Sequence, residues 1–170
     1  MKLGANYANQ RVGIFVDVQN LYHSSKNLYH GRINYPELMK TLVGNRQLIR
    51  AMAYVVKSET AVGESAFFDA LEKSGLELRS KDLQIYPDGL KKADWDVGMA
   101  VDAIRMSPFL DVVILVTGDG DFLPLVDYFK WGVGRLVEVA AFKRTASGKI
   151  QEAADRFINL EEVPRIILRK

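Results

Sequence analysis

The sequence predicts an α/β protein, a three-layer α/β/α sandwich around a mainly parallel central sheet. Three observations carry that expectation. Two short runs of consecutive apolar, β-branched residues, "VGIFVD" from Val12 and "VVILVT" from Val112, suit strands covered by helices on both faces. Segments of helical periodicity alternate with such runs, the pattern of right-handed crossover units. Finally, 170 residues of 48% hydrophobic composition supply one sizeable core and not two, so residues 1–170 are read as a single domain with a flexible tail over 1–10.

The elements follow in order. "VGIFVD" is a central strand and runs into the helix "VQNLYHSSKNLY". "YPELMKTLVG" is the next helix, with Pro36 in a first turn, where its missing N–H would be unpaired anyway. "LIRAMAYVV" from Leu48 is a strand, and "VGESAFFDALEKSG" a helix stopped by Gly75. "LELRS" and "DLQIY" form an edge pair or one interrupted strand. "DWDVGMAVDAIRM" is a helix opening on Asp94 and Asp96. "VVILVT" is the second central strand, and the helix "FLPLVDYFKWG" after it ends at Gly132. "LVEVAAF" from Leu136 is a strand in which Glu138 suggests a less buried position, and "SGKIQEAADRF" is a closing helix.

Composition narrows the chemistry. The absence of cysteine excludes disulfides, thiolate zinc sites and cysteine nucleophiles, leaving His23 and His30 as the nitrogen ligands, so a metal would be held by oxygen. A formal charge of +2 announces no overwhelming basic field, although cations can still gather on one face. The opening "MKLGANYANQRVG" has no apolar stretch of signal-peptide length and no later run reaches the span of a membrane helix. A cytoplasmic protein without membrane contact is the simplest expectation.

Open parallel sheets bind ligands beyond the carboxyl ends of their strands, and acids gather there. Asp17 closes the first strand, Asp119 and Asp121 follow "VVILVT", and Asp94 and Asp96 open a helix. One aspartate before a helix is an ordinary cap, which suffices for Asp94 or Asp121 alone. A set of like charges delivered from distant segments calls for a cation, and oxygen-rich sites favour Mg²⁺ or Mn²⁺. Asn20 and Thr117 stand ready to orient these acids or touch a phosphate. Asp102, about 120° further round its helix than Asp96, is assigned a supporting or structural place. His23 is read as a surface or packed residue before a base. Lys91 and Lys92 on one side, and Lys143, Arg144 and Lys149 on the other, are the cations available to a polyanion, with Ser147 as a helix cap and secondary phosphate contact.

These residues resemble the NYN domain family, the PIN-like nuclease group that includes the LabA-like (DUF88) proteins. The matching pieces are "FVDVQNL", "KKADWDVGMAVDAI", "LVTGDGDFLPLVDYFKWGVGRLVEVAAF" and "SGKIQEAADRFINL", in that order. Val18 stands where the family commonly has glycine. The resemblance implies a PIN-like fold and divalent-metal-dependent hydrolysis of RNA, with Asp17, Asp96, Asp119 and Asp121 as the metal-binding and catalytic acids, Asn20 beside them, and single-stranded RNA as the partner.

Two other readings stay open. "GDGDFLPLVD" is similar to the late acidic element of haloacid-dehalogenase-like phosphatases, whose nucleophile motif places a second Asp where this chain has Gln19. A chain of this fold could also bind RNA or protein with little turnover. The apolar tail "VPRIILRK" is a candidate contact to a second copy in a homo-oligomer.

Overall fold

The computed structural model describes residues 7–58 and 62–169. From the amino end, a turn at Tyr7–Asn9 leads into β1 (Arg11–Asp17), α1 (Val18–Tyr29), β2 (Arg32–Ile33) and α2 (Tyr35–Val43). Then come β3 (Gln47–Lys57), α3 (Glu64–Lys73), β4 (Glu77–Asp82), the short strands β5 (Gln84–Ile85) and β6 (Lys91–Lys92), and α4 (Asp96–Met106). The remainder is β7 (Val112–Val116), α5 (Leu123–Asp127), β8 (Leu136–Ala141), α6 (Gly148–Ala153), β9 (Arg156–Asn159) and β10 (Ile167–Leu168).

Six strands form one sheet in the order β4-β3-β1-β7-β8-β9, and every pairing in it is parallel. The central strands were legible because both their faces are covered. Val112, Ile114 and Val116 of β7 point into a core shared with Leu21 of α1, Leu38 of α2 and Leu71 of α3. Val113 and Leu115, one residue out of step, enter the opposite core with Met99 of α4, Val126 of α5 and Ile150 of α6. Three helices on each face make the three layers. Removing the buried surface of any one such Leu or Ile from water contributes about 1.5–3 kcal/mol, so neither face can be given up. Val18, the departure from glycine noted above, is 5% exposed and packs in the first core.

Several expectations need correcting. Of "DLQIY", Asp82 alone pairs in the main sheet, as the last residue of the edge strand β4 opposite Lys57; β5 turns back on β6 as a separate antiparallel pair. The closing helix stops at Ala153, and "RFIN" is instead the edge strand β9, which covers β8. Glu138 is therefore 7% exposed and not partly solvated, because Arg46 reaches it with two hydrogen bonds at 2.7 and 2.9 Å. The helix after β7 is short, and its second half, Tyr128–Gly132, widens into a π-turn. Of the expected tail, residues 1–6 lie outside the described residues, while the Gln10 carbonyl accepts the Gln47 N–H at 3.0 Å. The tail "VPRIILRK" places β10 antiparallel on β2 of its own chain. Among the described residues, no helix is long and apolar enough to cross a membrane.

Candidate active site

The chain runs from β1 to β3 and β4 on one side, then returns to β7, β8 and β9 on the other. The order thus reverses between β1 and β7, whose exit loops diverge to opposite faces and open a crevice. Asp17 ends β1 in that crevice and caps α1: Oδ1 accepts the Asn20 N–H at 3.1 Å, and Oδ2 accepts the Thr117 hydroxyl at 3.0 Å. The Thr117 hydroxyl in turn accepts the Asp119 N–H at 3.2 Å, and Asn20 Oδ1 accepts the Gly118 N–H at 2.9 Å. These bonds stitch the two strand exits together.

Capping explains part of the acidic set. Asp119 Oδ1 accepts the Asp121 N–H at 2.9 Å, and Asp94 Oδ1 accepts the Asp96 N–H at 3.2 Å. Asp96 and Asp121 themselves cap no described residue, yet one carboxylate oxygen from each of Asp96, Asp119 and Asp121 falls within 4.8 Å of the others. Asp17 lies outside that triad but close enough to act on Asp96. Among the described residues, no cation stands within ion-pair distance of any of these acids. The cost appears in protonation: partial burial, then Asp119, Asp17, Asp94 and Asp121, push Asp96 up to about 6. Burial raises Asp17 as well; its two hydrogen bonds oppose the rise, and Asp119 and Asp94 add to it.

The glycines of "TGDGDF" are a matter of close approach. A Cβ on Gly118 would lie 2.9 Å from Ala146 Cα, and one on Gly120 would lie 2.8 Å from Ser147 Oγ. The acidic loop is therefore pressed against the turn before α6. Ser147 occupies the N-cap position but makes no side-chain cap bond; its contact is with that loop.

Other expected contributors are placed as follows. Thr117 is fully buried with its hydroxyl held between Asp17 and Asp119, so it positions acids and cannot reach substrate. Lys143 and Lys149 are exposed. Arg144 is exposed too, but its guanidinium bonds Glu161 at 3.1 Å and the Tyr29 hydroxyl at 3.0 Å. The side chains of Lys91 and Lys92 lie outside the described residues. Asp102 is buried away from the triad, accepting the Tyr54 hydroxyl at 3.0 Å and facing Arg79 at 3.5 Å. His23 is exposed beside Tyr22, and His30 ends α1 in a left-handed conformation.

Trp95 escaped the sequence reading. Its Nε1 donates to the Val55 carbonyl at 2.8 Å, its ring sits 5.4 Å from that of Tyr54, and a Cβ on Gly98 would come within 2.5 Å of it. Trp95 thereby pins the first turn of α4 to the end of β3 and sets where Asp96 points. The signal was the spacing Trp-Asp-Val-Gly, an aromatic three residues before a glycine on one helix face.

Comparison with known proteins places the fold and the family. A curated relative, "Low amplitude and bright protein LabA" of Synechococcus elongatus, is 24% identical over 166 residues, spanning 92% of this chain and 87% of that protein. A crystal structure of a protein of unknown function from Vibrio parahaemolyticus superposes with a TM-score of 0.87 at 30% identity, covering 96% of this chain and 99% of that one. The NYN domain model matches residues 11–161, which contain every acid of the crevice. The chain belongs to the NYN domain family.

Proposed function

We propose that this protein is a divalent-metal-dependent ribonuclease that hydrolyses phosphodiester bonds of single-stranded RNA in the crevice between β1 and β7. The observation that carries the reading is the triad of Asp96, Asp119 and Asp121, brought within 4.8 Å from separate segments with no described cation to balance it. Three hard oxygen donors at that spacing fit Mg²⁺ or Mn²⁺, and the lack of sulfur and nitrogen donors disfavours softer metals. Asp96, Asp119 and Asp121 would hold the ion, with Asp17 bordering it. When bound, the ion supplies Lewis acidity toward the scissile phosphate and the attacking water.

The chain's own groups do the rest. Asp17, Thr117 and Asn20 hold the strand exits in register, so the acids are preorganised and need no rearrangement on substrate binding. Trp95 keeps Asp96 facing Asp119. The acidic rim repels a polyanion everywhere except at the cation, so Lys143, Lys149 and Lys92 are assigned to backbone phosphates flanking it. Arg144, already engaged by Glu161 and Tyr29, is a weaker candidate for that task. No covalent protein nucleophile is required.

A cleavage assay on mixed RNA tests this, with EDTA, Mg²⁺ and Mn²⁺ arms and an Asp119→Asn control that keeps the cap. Turnover should need the ion and drop at least about 100-fold in the control. Equal, negligible turnover in every arm would leave an RNA-binding or protein-interaction module of this fold.

A further inference from the structure

A second feature opens at the same carboxyl edge of the sheet. A cavity of about 500 Å³ lies between the first turns of α1 and α3, walled by Val18, Tyr22, Tyr35, Phe67 and Phe68, with Arg32 at its rim. Its lining is aromatic and ordered: Tyr35 and Phe67 meet edge to face with centroids 6.1 Å apart, and Phe67 leans on Phe68 at 6.0 Å. The volume is in the range of small-molecule sites.

Two observations say what kind of occupant fits. Tyr35 is 6% exposed, yet its hydroxyl makes no hydrogen bond to any described residue and is not sealed from solvent space, so it opens on the cavity. A hydroxyl that faces the cavity without a protein partner is free to pair with the polar edge of a ligand in place of water. Tyr22, at the mouth, is 48% exposed, with His23 edge-on to its ring and the Lys26 ammonium 5.5 Å from the ring centroid. A flat ring with hydrogen-bonding edges answers both features. The cavity borders the acidic crevice: its wall residue Val18 directly follows Asp17, whose charge is close enough to act on the Tyr35 hydroxyl. Arg32 is exposed, with no ion-pair partner among the described residues, and can meet a phosphate at the rim.

We infer that this cavity takes an unpaired nucleobase of the strand whose phosphate lies at the acidic centre, an inference that rests on the ribonuclease reading above. Tyr22 stacks on the base, the Tyr35 hydroxyl reads its edge, and Arg32 holds the phosphate of the same nucleotide. A base inside a duplex has both faces stacked and its edge paired, so it cannot enter without being extruded. The site therefore selects single strands and imposes a base preference beside the cut.

The test uses the full chain carrying Asp119→Asn, which leaves the probe uncut, in EDTA at low salt, with a single-stranded oligoribonucleotide containing 2-aminopurine. Binding should change the fluorescence of the probe, and duplex RNA of the same sequence should compete poorly. Adding Tyr22→Ala should weaken binding roughly 5- to 100-fold, the effect of losing one stacked base. In the otherwise native chain, Tyr35→Phe keeps the packing, removes only the hydroxyl, and should redistribute the cut sites. Unchanged affinity in Tyr22→Ala together with an unchanged cut-site pattern in Tyr35→Phe would overturn the inference while leaving a ribonuclease. A native chain without metal-dependent turnover, whose silent form still holds the probe through Tyr22, would do the reverse: the base site would stand and the hydrolytic reading would fall.

Discussion

At the amino edge of the sheet, Arg11 opens β1 and grips Asp111 with its backbone N–H at 2.7 Å and its guanidinium at 3.0 and 3.1 Å. Near the same edge Arg46 closes on Glu138, and Lys130 stands 3.7 Å from Asp155. At the carboxyl edge Asp17, Asp96, Asp119 and Asp121 gather with no such partner among the described residues. Burial on its own does not separate the edges, since Glu138 is more buried than Asp96. They also differ in the sign of the neighbours. The difference is visible in acidity: Arg11 draws Asp111 down to about 2, while partial burial first, and then the crowd of carboxylates, push Asp96 up to about 6. One edge spends its charges on stability, and the other holds charge in reserve for a ligand.

The comparison breaks hardest at Glu138. Glu138→Ala strands the Arg46 guanidinium, whose side chain is 8% exposed, and should cost about 3–5 kcal/mol in chemical denaturation. Because the pair is remote from the acids, Mn²⁺ should still stabilise the variant. A variant as stable as the parent would show that the pair does not anchor the amino edge.

At the carboxyl edge, Mn²⁺ at a hundredfold excess over its dissociation constant should stabilise the fold by about 2.7 kcal/mol. Asp119→Asn should lose most of that gain and melt no lower than the parent in EDTA, since it removes repulsion and Asn can still cap. A melting curve that either ion leaves unmoved would remove the metal centre.

A pH series sets the two edges against each other. For Asp96 the folded value of about 6 lies above the unfolded one near 3.9, so the native state binds more protons between them. Metal-free protein should lose stability as pH rises from about 4 to 6, and Asp96→Asn should flatten that limb. Asp111 has the opposite sign: its folded value of about 2 gives stability that is present above pH 4 and lost as pH falls toward 2. Asp111→Asn should flatten the acid limb only. Melting temperatures taken in EDTA across this range decide both.

The smallest effect concerns the rim. Lys143→Glu should weaken RNA binding and reduce the salt slope of log affinity by about 1, with Mn²⁺ stabilisation intact. An unchanged slope in a titration from low to moderate salt would take Lys143 off the strand's path.

Much of this was legible in one dimension, and the reason is local. A strand buried on both faces must be apolar at successive positions, so "VGIFVD" and "VVILVT" declared themselves central and placed Asp17 and Asp119 at the rim. The caps were legible as residue types but partly misplaced: Asp121 was offered as a cap, whereas Asp119 does the capping. The edge strand β9 was hidden because "EAADRF" continues a helical pattern. The chain turns only where the Asp155 carboxylate and N–H both bond Val137, at 2.8 and 2.9 Å.

By itself, then, the sequence determined the alternating α/β architecture, the parallel core and the family, all consequences of periodicity and of motifs that lie in order along the chain. Tertiary structure alone decided which acids meet, that Glu138 is buried against a cation 92 positions away, and that Trp95 aims Asp96. Side-chain periods are imposed by the backbone within a few residues. The partner of a buried charge is supplied by whichever distant segment the sheet order brings alongside it.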